Sequence, residues 1–145
     1  MLQVRDVLKT KPGRVITIEL EATVQEAVAR LVQNNIGSLP VVDAEGRLVG
    51  VYSERDVLRG IHNRGAGLCR MPVSEVMTHD PVTCAPDDDV DDVMGKMTYR
   101  RIAKVPVLEH DRLVGIISVG DIIKYLYDRV CSENEHLMTY IHSAR

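Results

Sequence analysis

The fold is decided by two stretches, Ile36-Gly-Ser-Leu-Pro-Val-Val-Asp43 and Gly50-Val-Tyr-Ser-Glu-Arg-Asp56, because each of them occurs a second time in the chain. The second occurrences are Ile102-Ala-Lys-Val-Pro-Val-Leu108 and Gly115-Ile-Ile-Ser-Val-Gly-Asp121. They stand in the same order and at the same spacing, apart from one residue that is missing in a turn. A collinear match of this kind indicates an internal repeat, in which two copies of one unit fold together.

The match continues ahead of these stretches, where Thr17 aligns with Thr83 and Val24 with Val90. Each copy predicts a short β-branched strand, a helix, two strands joined by a turn, and a second helix. In the first copy these elements are Val15–Ile18, a helix from the capping box Thr23-Val-Gln-Glu26, Leu39–Val42, Leu48–Tyr52 and a helix from Ser53. In the second copy they are Val82–Cys84, a helix capped by Asp89, Val105–Leu108, Leu113–Ile117 and a helix from Ser118.

The predicted fold class is therefore α/β (α+β), with two β-α-β-β-α repeats packed as a pseudo-two-fold pair. Three short strands carry too little apolar surface to stand alone, so the two copies are expected to pack together. Short lead-in turns, Val4–Leu8 and Val73–Met77, precede the copies. The predicted boundaries are 1–62 for the first motif, 63–72 for a linker or mobile loop, 73–127 for the second motif and 128–145 for a C-terminal helix. Such an added helix covers an edge or mediates dimer contacts.

Composition excludes several classes of function. The formal charge is −3, and the 145 residues include no Trp, no Phe and only five Tyr. This composition argues against a nucleic-acid surface, which needs clustered basic residues and aromatic side chains for base stacking. No apolar run approaches the roughly 20 residues of a membrane helix, and the first residues do not resemble a signal peptide, so a cytoplasmic location is expected. Three widely spaced cysteines predict ordinary buried or half-buried thiols, and five scattered histidines predict no metal site. The sequence contains neither a P-loop nor a recognisable catalytic triad, so no enzymatic activity is expected.

The repeated motifs resemble the cystathionine-β-synthase (CBS) motif, whose tandem pairs form a regulatory module. The resemblance covers roughly residues 1 to 127 and is that of a stand-alone pair. It implies no required cofactor, and binding of an adenosyl ligand (AMP, ADP, ATP, S-adenosylmethionine or NADH) in two clefts between the repeats. The Asp56 cleft would use Ser53, Arg55 and Asp56 with Thr78, Val82, Ile102 and Ala103. The Asp121 cleft would use Ser118, Gly120 and Asp121 with Lys11, Ile16, Ile36 and Gly37.

The chemistry of a Ser-x-x-Asp pair at a helix start suits such a ligand. The unpaired backbone N–H groups and the helix dipole favour a phosphate, and a carboxylate accepts hydrogen bonds from two ribose hydroxyls. The same pair is also a helix N-cap box, and both interpretations stay open. Arg100, Arg101 and Lys104 either neutralise a helix C-terminus or clamp a phosphate at the Asp56 cleft, supported by Arg55. Lys11 and Arg14 are the corresponding candidates at the Asp121 cleft.

One departure from the family predicts that the clefts differ. Many binding members carry Ser or Thr immediately before the Asp, whereas this chain has Arg55 and Gly120 there. The leading hypothesis is a ligand sensor that passes a conformational change to an unidentified downstream protein or within a homodimer. The alternatives are a constitutive dimeric scaffold with degenerate sites and, last, a small enzyme.

Overall fold

The helices and strands of each copy follow one another along the chain in the repeated order that the sequence predicts. The computed structural model describes residues 1–11 and 13–143. The helices are α1 (Val4–Leu8), α2 (Val24–Asn34), α3 (Glu54–Arg64), α4 (Val90–Arg100) and α5 (Val119–Ser143), with 3-10 helices at Gly65–Arg70 and Val73–Glu75. The strands are β1 (Ile18–Glu19), β2 (Ser38–Val42), β3 (Leu48–Ser53), β4 (Thr78–His79), β5 (Lys104–Glu109) and β6 (Arg112–Ser118).

The strands form one four-stranded sheet in the order β1-β2-β3-β4 and a β5-β6 hairpin. Strand β1 runs parallel to β2, while β2–β3, β3–β4 and β5–β6 are antiparallel. The β5–β6 turn places His110 and Asp111 at φ 52° and 63°. Two residues with positive φ match the twist of a tight hairpin. Strand β4 belongs to the second lead-in segment, and the sequence did not predict it.

The first strand of each copy is shorter than predicted, and a proline explains both cases. Ile18 pairs with Val41 in β1, whereas the second copy has a single bridge, Cys84 to Val107. Extending either parallel ladder toward the N-terminus would require an N–H donor at Pro40 or Pro106, and proline has none. The predicted strands Val15–Ile18 and Val82–Cys84 are therefore wrong in extent.

Each repeat has its own apolar core, and each core contains the lead-in segment of the other repeat. Val4 and Val7 of α1 are buried in the second core, and Val73 is buried in the first. The backbone follows the same exchange, since Val90 N–H donates to the Leu2 carbonyl at 2.9 Å. Reciprocally, Val73 N–H donates to the Ala22 carbonyl at 2.8 Å. This exchange fixes the two repeats to each other and confirms the predicted pair.

The segment between the repeats is not the mobile loop that its glycines suggested. Helix α3 continues to Arg64, and the 3-10 helix Gly65–Arg70 follows without a break. Leu68 is buried in the first core, close to Gly60, where a Cβ atom would lie 2.6 Å from Leu68 Cδ1. A buried apolar side chain therefore anchors this segment. Cys69 beside it is exposed, so the expectation of a buried or half-buried thiol was wrong at that position.

Helix α5 extends past the second repeat to Ser143, as the sequence predicted. Much of its apolar surface is exposed, at Ile123, Leu126, Tyr127, Val130, Leu137, Met138, Tyr140 and Ile141. The last two residues of the predicted helix lie outside the described part of the chain. Among the described residues, no helix has the length and apolar character needed to cross a membrane.

Candidate functional site

The two Ser-x-x-Asp pairs begin helices α3 and α5 with the same reciprocal hydrogen bonds. Asp56 N–H donates to Ser53 Oγ at 3.3 Å, and Ser53 N–H donates to Asp56 Oδ2 at 2.9 Å. In α5, Asp121 N–H donates to Ser118 Oγ, and Ser118 N–H donates to Asp121 Oδ2, both at 3.0 Å. The capping interpretation is therefore confirmed at both sites. It leaves each carboxylate with further lone pairs for other donors.

Protein groups already surround the Asp56 carboxylate. Thr78 Oγ1 donates to Asp56 Oδ1 at 3.0 Å, and Ser53 Oγ donates to Oδ2 at 3.0 Å. The Arg59 guanidinium lies 3.5 Å from the same Oδ1. Asp56 is only 5% exposed, so a ribose would have to displace at least one of these donors. The contact with Thr78 joins two residues that were predicted for this cleft, whereas Arg59 was missed although it stands one helical turn from Asp56.

The other residues predicted for the Asp56 cleft are spread over neighbouring elements. Ile102 packs against the second core, Val82 is half-buried and Arg55 is exposed. The Ala103 carbonyl accepts a hydrogen bond from Val119 N–H, and Arg101 caps α4 in the left-handed region at φ 55°. Their roles in ligand binding stay predictions.

Tyr52 is a buried polar group beside this cleft. It is fully buried in β3, and its hydroxyl has no hydrogen-bond partner among the described residues. Burial, followed by the charges of Asp56 and Cys69, raises the pKa of Tyr52 to about 12. The hydroxyl therefore stays protonated and neutral near neutral pH.

The Asp121 carboxylate has a different neighbour, a lysine from the other repeat. Lys11 Nζ donates to Asp121 Oδ2 at 2.9 Å and to the Ile116 carbonyl at 2.8 Å. Burial alone would raise the pKa of Asp121, but the hydrogen bonds from Lys11 and Ser118 outweigh it and hold that pKa below 3.8. The carboxylate is therefore charged at neutral pH and available to accept hydroxyl donors.

A cavity of about 340 Å³ opens beside Asp121. Its apolar wall is formed by Leu8, Val15, Ile16, Ile36, Val114 and Ile116, and its polar wall by Lys11, Arg14, Ser38, Lys104, Ser118 and Asp121. The structure thus brings together six residues predicted for this cleft: Lys11, Arg14, Ile16, Ile36, Ser118 and Asp121. Within the described chain, Gly37 and Gly120 are not part of this lining, and their contribution stays a prediction.

Several residues of this cavity were assigned elsewhere or missed by the sequence analysis. Lys104 was considered either for the C-terminus of a helix or for a phosphate clamp at the Asp56 cleft, and the structure places it in the wall of the Asp121 cavity. Val114 and Ile116 were missed, although alternate residues of a strand share one face and so point to a common wall. An apolar wall with a few convergent polar groups is typical of a small-molecule site.

A second cavity, of about 490 Å³, adjoins the same pair of charges. It lies between α1 and α5, and both Lys11 and Asp121 border it. Its remaining polar wall comes from Thr10 and from successive turns of α5, at Lys124, Asp128, Arg129, Ser132, Glu133 and His136. Among the described residues, no group of three or more His, Cys, Asp or Glu side chains is arranged to hold a metal ion.

A tandem α/β repeat with a polar-lined cavity between its copies defines a class of small-molecule binding module. The family model of the CBS domain matches this chain twice, at residues 4–63 and 73–128. The chain belongs to the CBS domain family.

Relatives share this organisation. The CBS domain-containing protein YhcV of Bacillus subtilis is 33% identical over 122 residues, which cover 84% of each chain. The crystal structure of a CBS-domain containing protein from Agrobacterium tumefaciens superimposes with a TM-score of 0.80 at 36% identity, covering 86% of this chain and 98% of that one. The CBS domain pair of protein MJ0100 was solved in complex with 5′-methylthioadenosine and S-adenosylmethionine. It matches at 29% identity with a TM-score of 0.76, over 88% of this chain and 98% of that pair.

Proposed function

We propose that the protein is a regulatory sensor that binds an adenosyl ligand in the Asp121 cleft. The observation that carries this proposal is the cavity in which Asp121 meets Ser118, Lys11 and the apolar side chains of Ile16 and Ile36. The carboxylate suits the ribose hydroxyls, and the apolar wall suits a flat adenine ring. The MJ0100 pair, which binds adenosyl ligands, supports the same ligand class. AMP, ADP, ATP, S-adenosylmethionine and NADH are the candidates.

The Asp121 cleft is favoured over the Asp56 cleft because its carboxylate is more accessible. The Asp121 side chain is 25% exposed and borders the cavity, whereas Asp56 is 5% exposed beneath Thr78 and Arg59. A ligand at Asp121 has to replace one lysine contact, since Ser118 N–H can remain in place. A ligand at Asp56 has to separate a buried side-chain network, which costs more free energy.

The position of the cleft suits a regulatory role. Its wall comes from both repeats, with Ile16 and Ile36 from the first and Ile116 and Ser118 from the second. Ligand binding can therefore change the relative position of the repeats, provided that it favours one arrangement over the other. Lys11 also borders the second cavity, between α1 and α5. A displacement of Lys11 on ligand binding would therefore alter the surroundings of the C-terminal helix. The downstream protein that would detect this change is unidentified.

A homodimer is part of this proposal because the apolar surface of α5 needs cover. Ile123, Leu126 and Val130 lie on adjacent turns and are exposed in the isolated chain. A two-fold interface between two copies of this face would cover these side chains. We further propose that the protein acts in the cytoplasm and without catalysis of its own.

A constitutive dimeric scaffold is the second candidate function. The observation in its favour is the Asp56 carboxylate, whose oxygens already accept hydrogen bonds from Ser53 and Thr78. If the Asp121 cleft also bound no ligand, the protein could act only through contacts of its surface with other protein chains.

Calorimetric titration of the full chain with AMP, ATP, S-adenosylmethionine and NADH tests the proposal. Saturable binding is expected for at least one ligand, because a pre-formed cavity and a charged acceptor are present. Asp121→Ala should weaken it by roughly 10–100-fold, since a charge-assisted hydrogen bond contributes about 1.5–3 kcal/mol. Asp56→Ala is the matched control, and its effect on binding should be much smaller. A protein free of bound nucleotide that gives no heat with any ligand would favour the scaffold.

A further inference from the structure

The Asp121 cleft carries an excess of positive charge. Lys11, Arg14 and Lys104 all line the cavity, and Asp121 is the acidic residue of the lining. Arginine guanidinium and lysine ammonium groups are the usual partners of phosphate. Three cations around one carboxylate therefore favour a ligand that brings additional negative charge.

Lys11 is the cation most directly engaged with the carboxylate. Its ammonium group is shared between Asp121 Oδ2 and the Ile116 carbonyl, at 2.9 Å and 2.8 Å. A ribose that binds Asp121 through its hydroxyls competes for the same carboxylate. Once the carboxylate turns to the ribose, the ammonium group keeps the Ile116 carbonyl and, because the Lys11 side chain is 38% exposed, is free to turn to an anionic acceptor on the ligand.

The nature of the ligand's 5′ substituent determines whether that acceptor is available. A phosphate supplies anionic oxygens to the released ammonium group. The thioether of 5′-methylthioadenosine supplies none. S-adenosylmethionine supplies one carboxylate, but its sulfonium and amino groups leave it with a net positive charge next to three cations, whereas a phosphate is purely anionic. Like charges at short range disfavour binding, and the penalty is larger where water is partly excluded.

We propose that the Asp121 cleft selects phosphate-bearing adenosyl ligands over thioether and sulfonium ones, and that Lys11 is the residue that determines this selectivity. The inference rests on the proposed adenosyl site and narrows its ligand class. Lys11 exchanges one anionic partner for another when a nucleotide binds: Asp121 turns to the ribose and the ammonium group turns to the phosphate. This chain would then differ in ligand class from the MJ0100 pair, which was solved with both of the disfavoured ligands.

The test compares AMP, 5′-methylthioadenosine and S-adenosylmethionine by calorimetry on the full chain. The wild type is expected to bind AMP at least tenfold more tightly than either sulfur compound. Lys11→Met should weaken the binding of AMP by about 10–100-fold, because it removes the partner of the phosphate. The affinity for 5′-methylthioadenosine should stay unchanged or increase, because the substitution also removes the group that competes for Asp121. Lys11→Arg keeps the charge and should keep the preference for AMP. Lys9→Met changes an exposed lysine at the C-terminal end of α1 and serves as the matched control.

Two results would overturn the selectivity alone. One is a wild type that binds either sulfur compound as tightly as AMP, and the other is a Lys11→Met variant that loses affinity for AMP and 5′-methylthioadenosine equally. A wild type that binds none of the three ligands would overturn the adenosyl site itself and the selectivity with it. An affinity for AMP that Asp121→Ala leaves unchanged would do the same.

Discussion

Asp56 and Asp121 occupy the same position of the repeat, and their surroundings differ because the two lead-in segments supply different side chains. The first lead-in ends near Lys11, whose ammonium group pairs with Asp121, and the second ends near Thr78, whose hydroxyl donates to Asp56. The Asp121 carboxylate, which pairs with the lysine, borders an open cavity. The Asp56 carboxylate, which accepts from the threonine hydroxyl, is buried. The repeat therefore fixes where the two carboxylates stand, and single residues outside the motif determine how exposed each of them is.

The buried hydroxyl of Tyr52 gives a prediction about stability. Tyr52→Phe should raise the free energy of unfolding at pH 7 by about 1 kcal/mol, because a buried hydroxyl without a partner is unfavourable. The gain should grow as the pH rises from about 10 toward about 12. In that range the unfolded tyrosine ionises near its ordinary pKa of 10.0, while the folded one, with a pKa of about 12, does not. Urea titrations at pH 7 and pH 10.5 measure both effects.

The control for this prediction is Tyr99→Phe, an exposed tyrosine on α4 whose change should matter little at either pH. A Tyr52→Phe variant that is less stable than the wild type at pH 7 would mean that the hydroxyl has a favourable partner.

At the scale of single residues, the sequence predicted which side chains meet in one cavity as far as the repeat motif extends. Ser118, Asp121, Ile16 and Ile36 follow from the motif and lie together. Lys104 was considered for a phosphate clamp at the Asp56 cleft because it follows Arg100 and Arg101 in sequence, but those two residues end and cap α4, whereas Lys104 begins β5. A side chain's sequence neighbours do not determine which cavity it borders once a strand begins between them.

At the scale of elements, the fold depends on a close approach of each lead-in segment to the last strand of the other repeat. A Cβ atom at Gly50 would lie 2.7 Å from the Thr78 carbonyl oxygen, and one at the equivalent Gly115 would lie 3.1 Å from the Leu8 side chain. Both glycines thus make room for the segment that the other repeat contributes. This is the physical reason for the glycine that opens each repeated Gly-x-x-Ser stretch.

Gly50→Ala should therefore destabilise the fold. We expect a loss of about 1–3 kcal/mol in the free energy of unfolding, since backbone and the Met77 side chain both lie within 2.7 Å of the added methyl group. Gly95→Ala in the middle of α4 is the matched control, because no atom lies within 4 Å of its added methyl group. That variant should gain about 0.5–1 kcal/mol from helix propensity. Chemical denaturation of both variants distinguishes them, and equal effects would contradict the close approach.

The element boundaries that the sequence missed have local physical causes. Pro40 and Pro106 shorten the first strand of each copy, because neither can donate to the parallel ladder. The glycine-rich connection folds as a 3-10 helix because Leu68 inserts into the first core. Strand β4 could not be predicted from its two residues, since pairing with β3 depends on the exchange of the lead-in segments.

At the scale of the whole molecule, the exposed apolar face of α5 predicts a dimer. The wild type should have twice the mass of one chain in multi-angle light scattering at micromolar concentration. The double substitution Leu126→Gln with Val130→Gln should shift it toward the monomer, because two exposed apolar side chains of the interface are lost. Tyr99→Gln, on α4, removes a still more exposed apolar group elsewhere and should leave the mass unchanged. A wild type that is monomeric at this concentration would contradict the dimer.

A titration with AMP followed by two-dimensional amide NMR distinguishes binding at Asp121 from binding at Asp56. For a ligand at Asp121, the largest shifts are expected at the backbone amides of Lys11, Ile16, Ile36 and Ser118, which border the cavity. Smaller changes are expected at Ser53, Asp56 and Thr78. Shifts concentrated at Asp56 and Thr78, or a spectrum that AMP leaves unchanged, would contradict the proposed site at Asp121.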